Sequence, residues 1–359
     1  MSGGVDSSVA AALLVEQGHE VIGLMMRLWS EPGQEAAYNK CCSPEAMANA
    51  RHIANMLGIP FYVVDTKEVF KEKIVNFFVD GYTSGVTPNP CMECNRHIRW
   101  DFLLNKALSL GATHLATGHY ARVRRLPLSS WERGPGGEGE VYQLLKAVDE
   151  KKDQSYVLSV MGQEQLKHAM FPVGDYTKPH IRELARKFNL PVAERADSQD
   201  LCFLSDNDYR RFLSEHAPQV ARPGPIVDTA GKVLGQHNGL AFYTIGQRKG
   251  IGLAAAEALY VLGADPNLNT LIVGTVNELG QKTMRVGRIN WVSGVAPTEP
   301  FEANVKIRYK ATERRAAITP LDLTRAGVTF AEPMRDITPG QGAVFFDGDA
   351  VLGGGIILK

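Results

Sequence analysis

The chain has 359 residues, of which 44% are hydrophobic and 22% charged, and its formal net charge is +0. That length exceeds what one core organises, so two or three domains are expected, and the balanced charge excludes a whole-protein basic field, so any nucleic-acid surface must be a local patch. Five cysteines are too few and too unevenly numbered for a secreted disulfide scaffold, and no leader or long apolar run is seen, which points to a cytoplasmic enzyme with no membrane role.

The chain opens on Ser2-Gly3-Gly4-Val5-Asp6-Ser7-Ser8 and runs into Val9-Ala10-Ala11-Ala12-Leu13-Leu14. A glycine pair lets several backbone N–H groups point at one anion, and the helix expected over 7–17, stopped by Gly18, turns its positive end on the same place. Ser7 and Ser8 add hydroxyl donors, and Asp6 can hold magnesium against phosphate oxygens. This is a phosphate cradle without the lysine of G-x-x-x-x-G-K-[ST]. Such a cradle should follow a buried strand, yet only Met1 precedes it, so a strand upstream of Met1 is expected.

Val21–Met26 reads as a buried strand. Ser43 caps a helix with Pro44 at its first position; Met47, Ala50, Ile53 and Leu57 share one face, and Gly58 ends it. Phe61–Val64 is a strand, helices follow over about 67–80 and 96–110, and Leu115–Tyr120 is a strand running into a glycine turn. Strand and helix alternate, which predicts an α/β domain around a mostly parallel sheet with its ligand at the carboxyl ends of the strands. Ser2–Ser8, Met26 and Gly118–His119 would then surround one crevice. Residues 124–140, with Gly134-Pro135-Gly136-Gly137, read as a hairpin loop or insertion. From about 222 short strands and glycine turns take over. Residues 233–252 suggest a small mixed domain. The regular strands Ala303–Tyr309, Ala316–Ile318, Gly327–Phe330, Ala343–Phe346 and Val351–Ile357 suggest an antiparallel barrel or sandwich.

Pro90-Cys91-Met92-Glu93-Cys94 stands just before the helix expected from Arg96, where the positive helix end should lower the thiol pKa values. Asp197-Ser198-Gln199-Asp200-Leu201-Cys202-Phe203 supplies a third thiol. A lone C-x-x-C can be a zinc half-site, a redox pair or buried thiols. The adjacent Cys41-Cys42 pair reads as incidental. Arg96, His97, Arg99 and Trp100 give local support for RNA contact, and Lys151, Arg248, Lys249, Lys306 and Lys310 could meet phosphates.

The loop resembles the pyrophosphate loop (PP-loop) of enzymes that split ATP into AMP and pyrophosphate. Taken with Asn89-Pro90-Cys91-x-x-Cys94-Asn95, Thr117-Gly118-His119-Tyr120, Lys152-Asp153-Gln154-Ser155-Tyr156, Ser198–Phe203 and Tyr243-Thr244-Ile245-Gly246-Gln247-Arg248-Lys249-Gly250, it makes essentially the whole chain similar to the tRNA-specific 2-thiouridylase family. The resemblance implies an α/β PP-loop catalytic domain over 1–204, of the adenine nucleotide alpha hydrolase type. A small mixed α/β central domain over 205–284 and an antiparallel β-barrel over 285–359 would follow. It implies adenylation of the wobble uridine at C2 in the tRNAs for Lys, Glu and Gln, then sulfur transfer through Cys202 and Cys94. The persulfide would come from a sulfur-relay protein or cysteine desulfurase.

By resemblance, Ser2, Gly3, Gly4, Val5, Asp6, Ser7, Ser8, Met26 and Gly118 bind ATP, and Asp6 carries Mg²⁺ through it. Asn89, Pro90, Cys91, His119, Lys152, Asp153, Gln154, Arg308, Tyr309 and Gln341 would contact tRNA. Some members carry aspartate where this chain has Cys91, so Cys91, Cys94 and Cys202 form a three-thiolate set that would also suit a [4Fe–4S] cluster. The alternative activity is another PP-loop ATP pyrophosphatase, a small-molecule ligase or amidating enzyme. A non-catalytic RNA-binding protein with a relic nucleotide fold is a further rival.

Overall fold

The computed structural model describes residues 1–31, 43–127, 140–196, 201–204 and 206–359. Cys41, Cys42, the Gly134–Gly137 run and Asp197–Asp200 lie outside the described residues. Among the described residues no helix is long and apolar enough to cross a membrane.

The phosphate-loop helix α1 (Val5–Glu16) is buried along most of its length, with Val5 and Ser8 to Leu14 all in the interior. It has no polar face because it is covered on two sides. Ile53 of α2 (Pro44–Met56) meets it from one side, and Ile181 and Ala185 of a later helix from the other, in one apolar cluster. Strand β1 (Gly23–Arg27) follows α1, and α2 is started by Ser43, whose hydroxyl accepts from the Ala46 amide at 3.0 Å. Strand β2 (Phe61–Asp65) pairs parallel with β1, Gly23 opposite Phe61.

Two long helices come next. Helix α3 spans 67–83 and is π-wound at Lys71–Val75; helix α4 spans 90–109 and is π-wound at Cys94–Leu103. Helix α4 therefore begins six residues earlier than the periodicity suggests. Asn89 accepts from the Met92 amide at 3.2 Å as its cap, and Pro90 fills the first position. Both Cys91 and Cys94 consequently lie within the helix, not ahead of it.

Strand β3 is only Leu115–Ala116, because Gly118 turns the chain. The hairpin β4 (Ala121–Pro127) and β5 (Glu140–Lys146) leaves the domain, and β6 (Ala169–Met170) returns to pair parallel with β3. The parallel strands thus form two separate pairs, β1 with β2 and β3 with β6, with the phosphate loop between them. Helices α5 (Lys178–Lys187) and α6 (Tyr209–His216) complete the α/β half.

A four-stranded sheet follows in the order β8-β7-β10-β9, from β7 (Gly224–Val227), β8 (Val233–His237), β9 (Tyr260–Asp265) and β10 (Thr270–Gly274). The C-terminal strands β11 (Gln281–Trp291), β12 (Phe301–Lys306), β13 (Arg314–Asp322), β14 (Arg325–Met334), β15 (Gly342–Asp347) and β16 (Ala350–Ile357) form a closed antiparallel barrel. The order is β11-β14-β13-β12-β15-β16, and β16 returns to β11. Closure leaves no open edge within the six, and Trp291, Val305, Ile318, Val328 and Phe345 fill the interior. The β4–β5 hairpin docks on this barrel, with Leu145 opposite Ala350. Arg122 donates to Asp349 at 2.9 Å, and Lys146 to Glu313 at 2.8 Å.

Candidate active site

A cleft of about 780 Å³ opens where the phosphate loop faces the two parallel pairs; Asp6, Met26, Cys94, Gly118, Cys202 and Tyr309 are among its walls. The loop is shaped by its own hydrogen bonds. Gly3 adopts φ +69, and a Cβ there would stand 2.5 Å from the Ala46 carbonyl oxygen, so only glycine fits. The Ser7 and Ser8 hydroxyls donate to the Gly4 carbonyl at 3.2 and 2.8 Å. Ser8 is fully buried, which puts it beneath the loop. Ser2 donates from its amide to Ser7 Oγ at 3.1 Å. No side chain caps α1 at Gly4, so the first-turn amides are left to meet an anion. Gly118 presses on the loop: a Cβ would lie 2.7 Å from the Ser7 nitrogen. The residues therefore fit a nucleotide polyphosphate.

Asp6 has two partners that the sequence did not single out. The Tyr120 hydroxyl donates to its Oδ1 at 2.7 Å, and Lys178 Nζ stands 2.7 and 2.8 Å from its two oxygens. A lysine opening a helix in Thr177-Lys178-Pro179 was the available signal, since helix starts favour acids. Arg195 donates to the Gly3 carbonyl at 2.8 Å.

The cysteines reach the cleft differently. Cys94 is buried and Cys202 half-buried, both on the wall, whereas Cys91 is exposed but is not part of it. Next to Cys202, Phe203 is anchored edge-on against Phe78, Phe212 and Phe70, with ring centroids 5.2, 5.7 and 6.1 Å away. Glu93, between the two helix cysteines, is buried and paired with His97 at 3.2 Å and with Arg288 of the barrel at 3.1 Å. The expectation of lowered thiol pKa values fails at Cys91. Although part of the residue meets solvent, the protein packed around it limits hydration of the thiolate and, with neighbouring Cys94, pushes the thiol up to about 11 against the pull of Arg99.

Of the residues expected to meet tRNA, His119, Lys152, Gln154 and Tyr309 line the cleft. His119 Nδ1 lies 2.8 Å from Thr117 Oγ1, and Nε2 faces Arg99 at 3.5 Å. A guanidinium only donates, so Nε2 is the acceptor and the proton sits on Nδ1. Burial, then Arg99, hold its pKa well below 6.5. The remaining residues are not on the wall. Asp153 is buried and accepts from the Ala147 and Ser155 amides. Gln341 donates to the Thr87 carbonyl at 2.9 Å, tying the Asn89–Pro90 corner to the barrel. Arg308 donates to the Ile245 carbonyl at 2.9 Å and to Thr338 at 2.6 Å, joining the central sheet to the barrel. Among the described residues, Glu31, Glu215 and His216 approach within 4.8 Å of one another, but Arg211 already pairs with Glu31 and Glu215, and the group is not part of the cleft.

An uncapped glycine loop opening a buried helix, parallel strand pairs on either side and an appended closed barrel define a HUP-type, PP-loop α/β enzyme. Family models agree: one described as a tRNA methyl transferase HUP domain matches residues 1–206, a tRNA methyl transferase PRC-barrel domain matches 210–275, and an aminomethyltransferase beta-barrel domain matches 281–357. A "tRNA-specific 2-thiouridylase MnmA" of Roseiflexus castenholzii is 46% identical over 100% of this chain and 98% of its own length. One from Acetivibrio thermocellus is 45% identical over 99% and 97%, and one from Pelotomaculum thermopropionicum 46% over 99% and 95%. The chain belongs to the tRNA-specific 2-thiouridylase family.

Proposed function

We propose that the protein is a tRNA 2-thiouridylase: it adenylates the C2 oxygen of the wobble uridine in the tRNAs for Lys, Glu and Gln and then replaces that oxygen with sulfur. The observation that carries this reading is the presence of Cys94 and Cys202 on the wall of the cleft that holds the phosphate loop. A methyl transferase, as the family models' descriptions would have it, or a small-molecule ligase has no use for two thiols facing a nucleotide site.

The chemistry follows from the residues. The uridine C2 oxygen attacks the α-phosphorus of ATP, the bond from that phosphorus to the bridging oxygen breaks, and pyrophosphate leaves with the electron pair. The α1 amides and the Ser2–Ser7 stretch hold the phosphates, while the buried Ser8 hydroxyl, expected to be a phosphate donor, instead braces the loop from beneath; Asp6 would hold Mg²⁺, which would supply charge neutralisation there. Met26 and Gly118 border the adenosine.

A persulfide on Cys202, loaded by a sulfur-relay protein or cysteine desulfurase, attacks C2 through its outer sulfur and expels AMP. The Cys94 thiolate then attacks Cys202 Sγ, so the Cys94–Cys202 disulfide forms, the persulfide S–S bond breaks and the outer sulfur stays on C2. A thiol reductant resets the pair. A cluster held by all three thiols fits less well, because Cys91 stands off the cleft wall, and no step is derived through one.

Base access requires the uridine to be splayed out of the anticodon loop. His119, Lys152, Gln154 and Tyr309 would receive it, with Asn89, Pro90, Cys91, Asp153, Arg308 and Gln341 shaping the rim. We assign catalysis to 1–204, tRNA contact to 205–284 and the barrel to 285–359, and place the activity in the cytoplasm. The test is Cys202→Ser assayed for tRNA adenylation and thiolation separately: adenylation should persist and thiolation cease, and thiolated tRNA from this variant would refute the assignment.

A further inference from the structure

The barrel contributes no thiol, yet it grips the start of helix α4 at three places. Gln341, just ahead of β15, donates through Nε2 to the Thr87 and Pro88 carbonyls at 2.9 and 3.3 Å. Gly342, the first residue of β15, lies so close to α4 that a Cβ there would stand 2.4 Å from Met92 Sδ. Arg288 of β11 donates through Nη2 to both Glu93 oxygens, at 3.3 and 3.1 Å. All three contacts fall on the stretch 87–93, which runs directly into Cys94.

Arg288 strains its own backbone to make this reach. Strand β11 pairs with β16 at Gly287 and again at Asn290, with a shift of register between them. Arg288 sits in that bulge at φ +52, a left-handed conformation that favours glycine. A bulge re-aims a side chain out of the ladder, and this one turns the guanidinium onto α4. Strain of this kind persists where the surroundings demand it. Glu93, which it meets, is 3% exposed, so its carboxylate needs partners. His97 Nε2 at 3.2 Å and Arg96 Nε at 3.8 Å come from its own helix; Arg288 ties it to a different element. Helix α4 changes from α to π winding at Cys94, so Arg288 holds the last residue before the change, and a shift of this turn is carried directly to the thiol.

We propose that Arg288 is a positioning residue: its ion pair with Glu93 locks the first turn of α4 to the barrel and so fixes where Cys94 meets Cys202. It acts through Glu93, not on the thiol itself. Attack of one sulfur on another is demanding in geometry, because the disulfide that forms holds its Cβ atoms about 3.5–4.5 Å apart. A drift of about 1 Å in the helix start slows closure of the Cys94–Cys202 bond, while the phosphate loop, carried by α1, stays as it was. The proposal rests on the reading of Cys94 and Cys202 as the sulfur-transfer pair.

The experiment follows two quantities in the full chain. One is the rate at which Cys94 and Cys202 close a disulfide after oxidised glutathione is added to the reduced protein, read by mass spectrometry of alkylation-quenched samples. The mixed disulfide formed on one cysteine is displaced by the other, so two glutathione thiols leave for each bond closed. The other quantity is magnesium–ATP affinity, read by calorimetry. Arg288→Gly deletes the guanidinium but suits φ +52, so the bulge survives; Glu93→Gln removes the charge from the other side, and thermal unfolding checks that each variant folds. Closure should slow about tenfold to a hundredfold in both, with ATP affinity held within about twofold. The double variant should be no slower than either single one, because the two residues act as one pair. Unchanged closure in Arg288→Gly overturns the proposal. So does a parallel loss of ATP affinity, which would make Arg288 a general strut, and so do losses that multiply in the double variant. If the unaltered chain closes no Cys94–Cys202 disulfide at all, the two-thiol reading falls and the proposal with it.

Discussion

Replacing Gly118 by alanine asks whether the turn after β3 sets the height of the phosphate loop. The added Cβ would stand 2.7 Å from both the Asp6 carbonyl carbon and the Ser7 nitrogen, and 3.0 Å from Asp6 Cβ. Carbon contacts settle at about 3.5–4.0 Å, so loop and turn must part by about 0.8 Å or more. Neither side yields cheaply: two of the three atoms are backbone, and α1 behind them is packed between α2 and α5. Overpacking of this kind costs about 1–3 kcal/mol, which lowers the melting midpoint by about 2–4 °C per kcal/mol for a unit of this size. The functional effect is larger. A loop amide that meets a phosphate oxygen at about 2.9 Å would be carried to about 3.7 Å, outside hydrogen-bonding distance, and magnesium–ATP affinity should fall at least about tenfold. Calorimetry reads both quantities. Gly263→Ala, with nothing within 4 Å of the new Cβ, is the matched control and should change neither. A Gly118→Ala protein with ordinary melting and ordinary nucleotide affinity would refute the argument.

At pH 8 a thiol of pKa about 11 is ionised about a hundredfold less than one near 9, so Cys91 should be alkylated about a hundredfold more slowly than a free cysteine; mass spectrometry of timed iodoacetamide reactions checks this, and equal rates would contradict it. His119 is held neutral, with its pKa well below 6.5. The unfolded chain takes up a proton below about pH 6.5 that the folded chain declines, so stability must fall as pH drops through that value. His119→Asn should flatten the decline in melting temperature between about pH 7 and pH 5, and an unchanged slope would count against the assignment. Arg308→Met removes the donors to Ile245 and Thr338 and should destabilise the protein by about 1–3 kcal/mol; a denaturant midpoint equal to that of the unaltered chain would show that this bridge carries nothing.

What the sequence disclosed was local. The glycine pair, the polar loop and the apolar run Val9–Leu14 announced α1 and its anion, because a helix start with no capping side chain has one common use. Ser43-Pro44 marked α2, and regularly spaced strands after 285 announced the barrel. Helix α4 was misplaced because periodicity was weighed above the Asn89 cap and Pro90, and the cysteines moved from a flanking loop into the helix. Limited hydration of the thiolate and the neighbouring Cys94, neither of which a local pattern reveals, reversed the expected direction of the Cys91 pKa. Lys178 stayed hidden because its meaning lies in a contact with Asp6 made by the packing of α5 on α1. Arg308 and Gln341 were expected at the RNA surface; the structure shows them tying the barrel to the central sheet and to the Asn89 corner, contacts between segments that no local pattern encodes.

The pairing of Leu145 with Ala350 has a consequence for how the chain is made. The hairpin that carries Leu145 is synthesised 205 residues before its partner strand, since its edge is completed only by β16. At about 5–20 residues per second, a ribosome leaves that strand edge uncovered for about 10–40 s. Small mixed domains finish folding well within that interval, so the amino-terminal unit is ready long before its neighbour exists. During translation it displays an unpaired strand edge, the kind of surface on which intermolecular strand addition starts, until β16 arrives to cover it.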